Sequence, residues 1–225
     1  MKKLILFILL LSVAHVCPVS AKSNQKQVLN TLEDIFSFEN IDQLTRYFGS
    51  DRVYTELSYS GDPNNGGKGY LFSQVNFGTH HAVLVVWNHE GTKVVEVKSS
   101  AYYYDSQKGK IIFVPNKWNT IQGIHAGMRL SQLVKVNWFV LTFFVQPESL
   151  NNGIIFHGFG WLREKRSVSF SKEKLLYNYT LDVKRFKYFF HGLTTSTLKS
   201  NDKTVIKWNP MLEMITVYRE GSKVD

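Results

Sequence analysis

GIHAGMRLSQLVKVNW, residues 123–138, sets two glycines before an amphipathic run, and its reading as ligand loop or helix start decides the fold. Leu130, Leu133, Val134 and Asn137 fall along one side at helical spacing. An earlier stretch, IDQLTRYFGS at 41–50, can be set under LSQLVKVNWF at 130–139, which aligns Gln43 and Leu44 with Gln132 and Leu133. The earlier copy lacks the glycine pair. The shared feature is therefore a Gln-Leu helix, and Gly127 reads as the point where extended backbone turns into it, with Met128 filling the seam.

Outward from this pair the chain repeats its order. Val28 to Phe48 reads as helical, with Leu29, Leu32, Ile35 and Phe36 at helix spacing. A second short run, Ile41, Leu44, Tyr47 and Phe48, starts at a candidate N-cap, Asn40, and closes at Gly49. RVYTELSYS, GYLFSQVNF, HHAVLVVWN and TKVVEVKSSAYYY then read as antiparallel strands, parted by the turn clusters GDPNNGG and HEG. After the second helix, GIIFHGF, SVSF, KLLYNYTLDV, TVIKW and EMITVY read as strands again, and Trp208-Asn209 aligns with Trp87-Asn88. The order predicts an α+β fold of two tandem half-repeats, each a helix followed by antiparallel strands, with the helices packed on one sheet. Residues 1–21 form a signal peptide on this reading, 22–117 the first half and 118–225 the second.

Lys2 and Lys3, the apolar run Leu4 to Val13 and the small-residue site Val19-Ser20-Ala21 have the layout of a secretory signal cleaved near Ala21. No later segment approaches the roughly 20 uncharged residues of a membrane helix. The expected location is periplasmic or extracellular. Cys17 is the only cysteine, and Ala14-His15-Val16 before it lacks the pattern of a lipid-anchoring site. Cleavage after Ala21 leaves no cysteine, which excludes disulfides, zinc-thiolate sites and thiol nucleophiles. With 27 Lys and Arg against 18 Asp and Glu, a net charge of +9, the chain favours anionic partners. Export favours envelope polymers over nucleic acid.

The chemical motifs are weak. GDPNNGGKGY lacks the register and hydroxyl residue of a phosphate loop and reads as a hairpin turn. His80 and His81 would point to opposite faces of a strand, and His81 and His89 would lie about 26 Å apart, so no metal site is expected. No cofactor is expected either. A Gly-x-Ser-x-Gly elbow is missing. Glu56, Glu96, Asp105 and Asp182 could meet in space as paired carboxylates, and His157 or His191 could supply a base, but nothing in their spacing says that they do. Between Arg163 and Lys187 lie eight basic residues against three acidic ones, interleaved with Phe170, Tyr177, Tyr179, Phe186 and Tyr188. An antiparallel sheet with an aromatic core face and a basic outer face explains that pattern, as does a polyanion site.

Trp118-Asn119-Thr120, Gly123-Ile124, Gly127-Met128, Leu130, Leu133, Asn137 and Gly158-Phe159-Gly160-Trp161 resemble the pattern of an uncharacterised family of exported bacterial proteins, over about Ile41 to Trp161. The chain departs from that pattern at Trp138, Leu162 and Arg163. More remotely, the Gly-Met helix start is similar to small outer-membrane assembly lipoproteins and to the β-lactamase inhibitor protein, whose tandem helix-on-sheet fold binds proteins. The resemblance implies a non-catalytic binding protein of the cell envelope, engaging a protein or anionic envelope partner. Trp161, Arg163, Arg166, Arg185 and Lys187 are the expected contact residues, since aromatic and Arg side chains dominate many interfaces. A secreted hydrolase acting on glycan or peptide is the alternative.

Overall fold

The computed structural model describes residues 28–60, 68–105, 108–137, 140–145, 154–158, 168–170, 173–182 and 196–221. Among them, a short 3-10 helix, Glu33–Ser37, precedes helix α1, Ile41–Phe48. Strands β1 (Val53–Ser60), β2 (Lys68–Val75), β3 (Val83–Trp87) and β4 (Val94–Ser100) form a meander. A separate hairpin follows, β5 (Tyr102–Asp105) with β6 (Lys110–Phe113). Helix α2 (Leu130–Asn137) leads to β7 (Leu141–Val145), β8 (Ile154–Gly158), β9 (Val168–Phe170), β10 (Glu173–Leu181) and β11 (Ser196–Lys199). Helix α3 (Lys203–Trp208) and β12 (Leu212–Arg219) end the described chain. The main sheet is antiparallel in the order β1-β2-β3-β4-β12-β10-β8-β7-β11, with β9 on β10. Helices and antiparallel sheet together make an α+β fold. No helix of the described residues is long and apolar enough to cross a membrane.

One face of the sheet carries the core. Val85, Val97 and Val217 share a row across β3, β4 and β12, and all three are fully buried. Leu32, Ile35, Leu44, Leu133 and Val205, from the helices and the turn before them, pack with the sheet in one continuous cluster. Each fully buried Leu of this kind contributes about 1.5–3 kcal/mol. Trp87, fully buried in the same cluster, donates from Nε1 to Ser73 Oγ at 2.9 Å, and that hydroxyl also meets Thr55 Oγ1 at 2.7 Å. The one polar atom of the indole is thereby satisfied.

The two predicted Gln-Leu helices are present with the expected register. Asn40 caps α1, accepting from Gln43 N at 2.9 Å, while Gln43 Oε1 accepts from Glu39 N at 3.0 Å. Gln132 Oε1 likewise turns back to the start of α2 and accepts from Arg129 N at 2.9 Å. The satisfaction is reciprocal at α1 and one-sided at α2, and in both it takes up a backbone donor at the start of an eight-residue helix.

Several sequence expectations fail. TKVVEVKSSAYYY, read as one strand, breaks at Ala101 into β4 and β5, which belong to different sheets. Helix does not run from Val28: Thr31 bridges Asn119, Leu32 N donates to Asn119 O, and Asp34 Oδ2 accepts from Asn30 and Thr31 N, so the chain enters extended. Extended Phe38 then ends the 3-10 turn before α1 begins. TVIKW is not a strand but lies within α3, preceded by Asp202, whose Oδ2 accepts from Lys199 N, and closed by left-handed Asn209 before Pro210. Val205 is buried while Ile206 is 61% exposed, a helical and not a two-sided strand pattern for the β-branched run. The alignment of Trp208-Asn209 with Trp87-Asn88 fails with it, because Trp87 lies in β3.

Candidate functional site

The face of the sheet away from the helices carries a different set of side chains. Tyr54, Gln74, Leu84, Lys98, Thr216 and Asn178 form one row across β1, β2, β3, β4, β12 and β10. In the next row β4 presents Ser100 and β12 presents Met214. At Ala101 the chain leaves the sheet: Ala101 N donates to Glu213 O and Tyr102 N to Ser100 Oγ, which lifts β5 and β6 away as a flap. Tyr102 packs edge-to-face on Phe113, 5.2 Å between ring centroids, and its hydroxyl donates to Asp182 Oδ2. The flap is thus tied to the end of β10.

Between flap and sheet lies a cavity of about 310 Å3. Its floor is Gln74, Leu84, Lys98, Ser100 and Met214, and Tyr102, Tyr103 and Tyr104 form one wall. Phe77 and Gly78 line it as well. Their turn is set by left-handed backbone at Asn76 (φ 50°) and Gly78 (φ 78°), and Thr79 N and Oγ1 both donate to Asn76 O. This turn holds Phe77 63% exposed at its tip, while Tyr104 is 50% exposed. Lys98, the charge on the floor, already has a counter-ion, Glu96 Oε1 at 2.5 Å. The site is therefore an apolar, aromatic-walled recess with few polar groups, the composition of a ligand or side-chain pocket.

Phe77 and Gln74 also border a second, larger recess of about 650 Å3 with Ser50–Tyr54, Thr79, His80 and His81. His80 and His81 lie in a turn and not on a strand, and their rings stand 4.3 Å apart instead of on opposite faces. Burial, with the neighbouring His80 and Lys117 charges, pushes the His81 imidazole below its usual range. Among the described residues no group of three or more His, Cys, Asp or Glu could hold a metal ion.

The candidate carboxylates do not converge. Glu56 and Glu96 share a row that runs through Phe72 and Val86, three strand spacings or about 14 Å apart. Asp105 pairs with Lys108 at 3.1 Å in the flap turn, and Asp182 takes the Tyr102 hydroxyl. Glycosidase carboxylates sit roughly 5 to 10 Å apart, so Glu56 and Glu96 are no such pair. His157 belongs to β8, and His191 lies outside the described residues.

The five expected contact residues, Trp161, Arg163, Arg166, Arg185 and Lys187, all lie outside the described residues. Of the basic stretch, β10 is described. Leu175 and Tyr179 are buried on its core side as expected, and the opposite side carries Lys174 followed by Leu176, Asn178 and Thr180, one basic residue among four. GDPNNGG lies outside as well, although the strands on both sides of it pair as a hairpin from Ser60–Lys68 inward.

Sequence reasoning missed Glu33. It is fully buried, accepts from Ile121 N at 3.0 and 3.1 Å, and takes the Tyr177 hydroxyl at 2.8 Å. The carboxylate joins the 3-10 turn, the 118–124 loop and β10. Burial raises its pKa despite these donors, and burial with the Glu33 charge drives the Tyr177 phenol upward. Two adjacent acids, Glu33 and Asp34, inside the apolar run Leu32, Ile35, Phe36 were the available signal.

The glycines of GIHAGM are occupied by backbone. Gly127, at φ +95°, donates to Leu212 O at 2.7 Å, and a Cβ there would come within 2.6 Å of Pro115 Cα. Gly123 closes a turn onto Thr120 O. No family model matches the chain, and no curated protein or solved structure does.

Proposed function

We propose that this chain is an exported, non-catalytic binding protein of the bacterial cell envelope that engages a protein partner through the recess under the β5–β6 flap. The observation that carries the reading is the pair Phe77 and Tyr104, both exposed and both lining an apolar cavity of about 310 Å3. An aromatic ring held at the tip of a rigid turn has little conformational freedom left to lose on binding. Exposed aromatics around a preformed pocket are the side chains that most often carry interface energy. The cavity suits one apolar side chain of the partner, and its paired Lys98 offers little to a polyanion.

The architecture we propose is two tandem half-repeats, residues 22–117 and 118–225. It is supported by α1 and α2, of equal length and each with its Gln folded back on the helix start and its Leu fully buried. It is supported also by the last main-sheet strand of each half, β4 and β12, lying side by side at the junction of the two sets. Export is supported by the Lys2-Lys3 start, the apolar run and the small-residue site at Ala21.

Substitution tests the site. Phe77→Asp and Tyr104→Asp should each weaken partner capture from envelope extracts at least tenfold with unchanged melting, whereas Ile206→Asp on α3 should leave it intact. Equal loss for all three, or for none, would remove this recess as the contact. Capture that survives both recess variants but falls steeply with salt would point instead to an anionic polymer.

A further inference from the structure

Among the described residues β1 is an edge of the main sheet, with β2 its sole strand neighbour. Its eight residues pair with β2 without a shift of register, and VYTELSYS contains no Pro, no Lys and no Gly. Natural edges are usually blunted by such residues, by bulges or by shortness. The opposite edge, β11, is blunted by length, with Ser196–Lys199 only. β1 is not blunted.

The direction of its free groups follows from one bond. Asn76 N donates to Arg52 O at 2.8 Å immediately beyond the ladder, so Tyr54, Glu56 and Ser58 are the residues hydrogen-bonded to β2. The N–H and C=O of Val53, Thr55 and Leu57 then point outward, and among the described residues no backbone partner meets them. Leu57 is 46% exposed beside them. An extended backbone segment is the ligand that fits such a row.

We propose that this edge pairs with β1 of a second copy, as an antiparallel two-fold dimer centred on Leu57 with the sheet continuous across it. Self-pairing is constrained by charge and by length. Centring on Glu56 sets two carboxylates directly opposite, which is unfavourable. Centring on Thr55 or on Ser58 engages only 53–57 or 56–60 of the strand. Centring on Leu57 engages 54–60, about 24 Å of shared strand, and sets Glu56 opposite Ser58 of the second copy. Leu57 then meets Leu57 on the axis. This dimer is independent of the recess described above and places two recesses on one continuous sheet.

Sedimentation equilibrium of the purified protein over a hundredfold concentration range tests the proposal. The wild type should show a reversible dimer. Leu57→Pro removes an outward N–H and no bond to β2, so it should weaken the dimer at least tenfold while melting stays cooperative. Ser58→Lys places an ammonium opposite Glu56 on both sides of the axis and should tighten the dimer roughly threefold to tenfold. A wild type monomeric at every concentration overturns the proposal, including the case in which the edge takes a foreign peptide. A dimer indifferent to both variants places the interface elsewhere, and one weakened by Ser58→Lys refutes the Leu57-centred register.

Discussion

Gly127→Ala separates a ligand loop from a structural turn. Two costs follow from the structure. Alanine at φ +95° meets the left-handed penalty of about 1–2 kcal/mol, and its Cβ lands 2.6 Å from Pro115 Cα, a backbone atom that cannot swing aside. Relieving that overlap must move either the 115–116 segment, where Asn116 N bonds Ala126 O, or the 211–212 segment, where Leu212 N bonds Met128 O. Overpacking of this kind costs typically 1–3 kcal/mol, so the total is about 2–5 kcal/mol. Gly123→Ala supplies the internal control, since it shares a positive φ (+76°) but meets nothing within 4 Å, leaving about 1–2 kcal/mol. At about 2–4 °C per kcal/mol for a chain of this size, Gly127→Ala should lower Tm by roughly 4–20 °C and by clearly more than Gly123→Ala. Thermal melts followed by far-UV circular dichroism read the difference. Equal melting of the two variants refutes the close-approach argument, and intact melting with loss of partner capture would restore the ligand-loop reading.

Further outcomes follow from the same geometry. Leu44→Ala and Leu133→Ala each empty a fully buried position under one of the paired helices and should cost about 2–5 kcal/mol in urea unfolding; a loss below 1 kcal/mol at either site contradicts the shared anchoring role. Glu33 keeps its proton in the native state above the pKa of 4.5 it has when unfolded, so stability should fall as pH rises from 4.5 through the native value. Glu33→Gln should flatten that slope in urea titrations across pH, and an unchanged slope would show that another group carries it.

Much of the fold was legible because its signals are local. Alternation and β-branching marked β1 to β4, β8, β10 and β12, and the Gln-Leu spacing located α1 and α2. What failed depended on context. The β-branched letters of TVIKW suit a strand, and only the turn at Ser200–Asp202 and left-handed Asn209 make them a helix. The Thr31–Asn119 bridge that keeps the first segment extended joins residues far apart in sequence. β6, β7 and β11 are short and lack clear alternation, and they were not anticipated. The recess was illegible for a similar reason. Phe77 and Tyr104 looked like ordinary strand aromatics, and their exposure arises from the Asn76–Gly78 turn and from the departure of the flap at Ala101. Glu33 is separated from its donors Ile121 and Tyr177 by most of the chain, so no spacing rule could join them.

If a protein partner docks in the aromatic-walled recess, as proposed, site-specific photocrosslinking in intact cells should trap it there. A photoreactive phenylalanine analogue placed singly at Phe77, at Tyr104 and, as control, at Ile206 replaces side chains that are all exposed. One adduct of the same mass is expected at positions 77 and 104 and none at 206. Adducts at 206 but not at 77 or 104, or different adducts at each position, would contradict it.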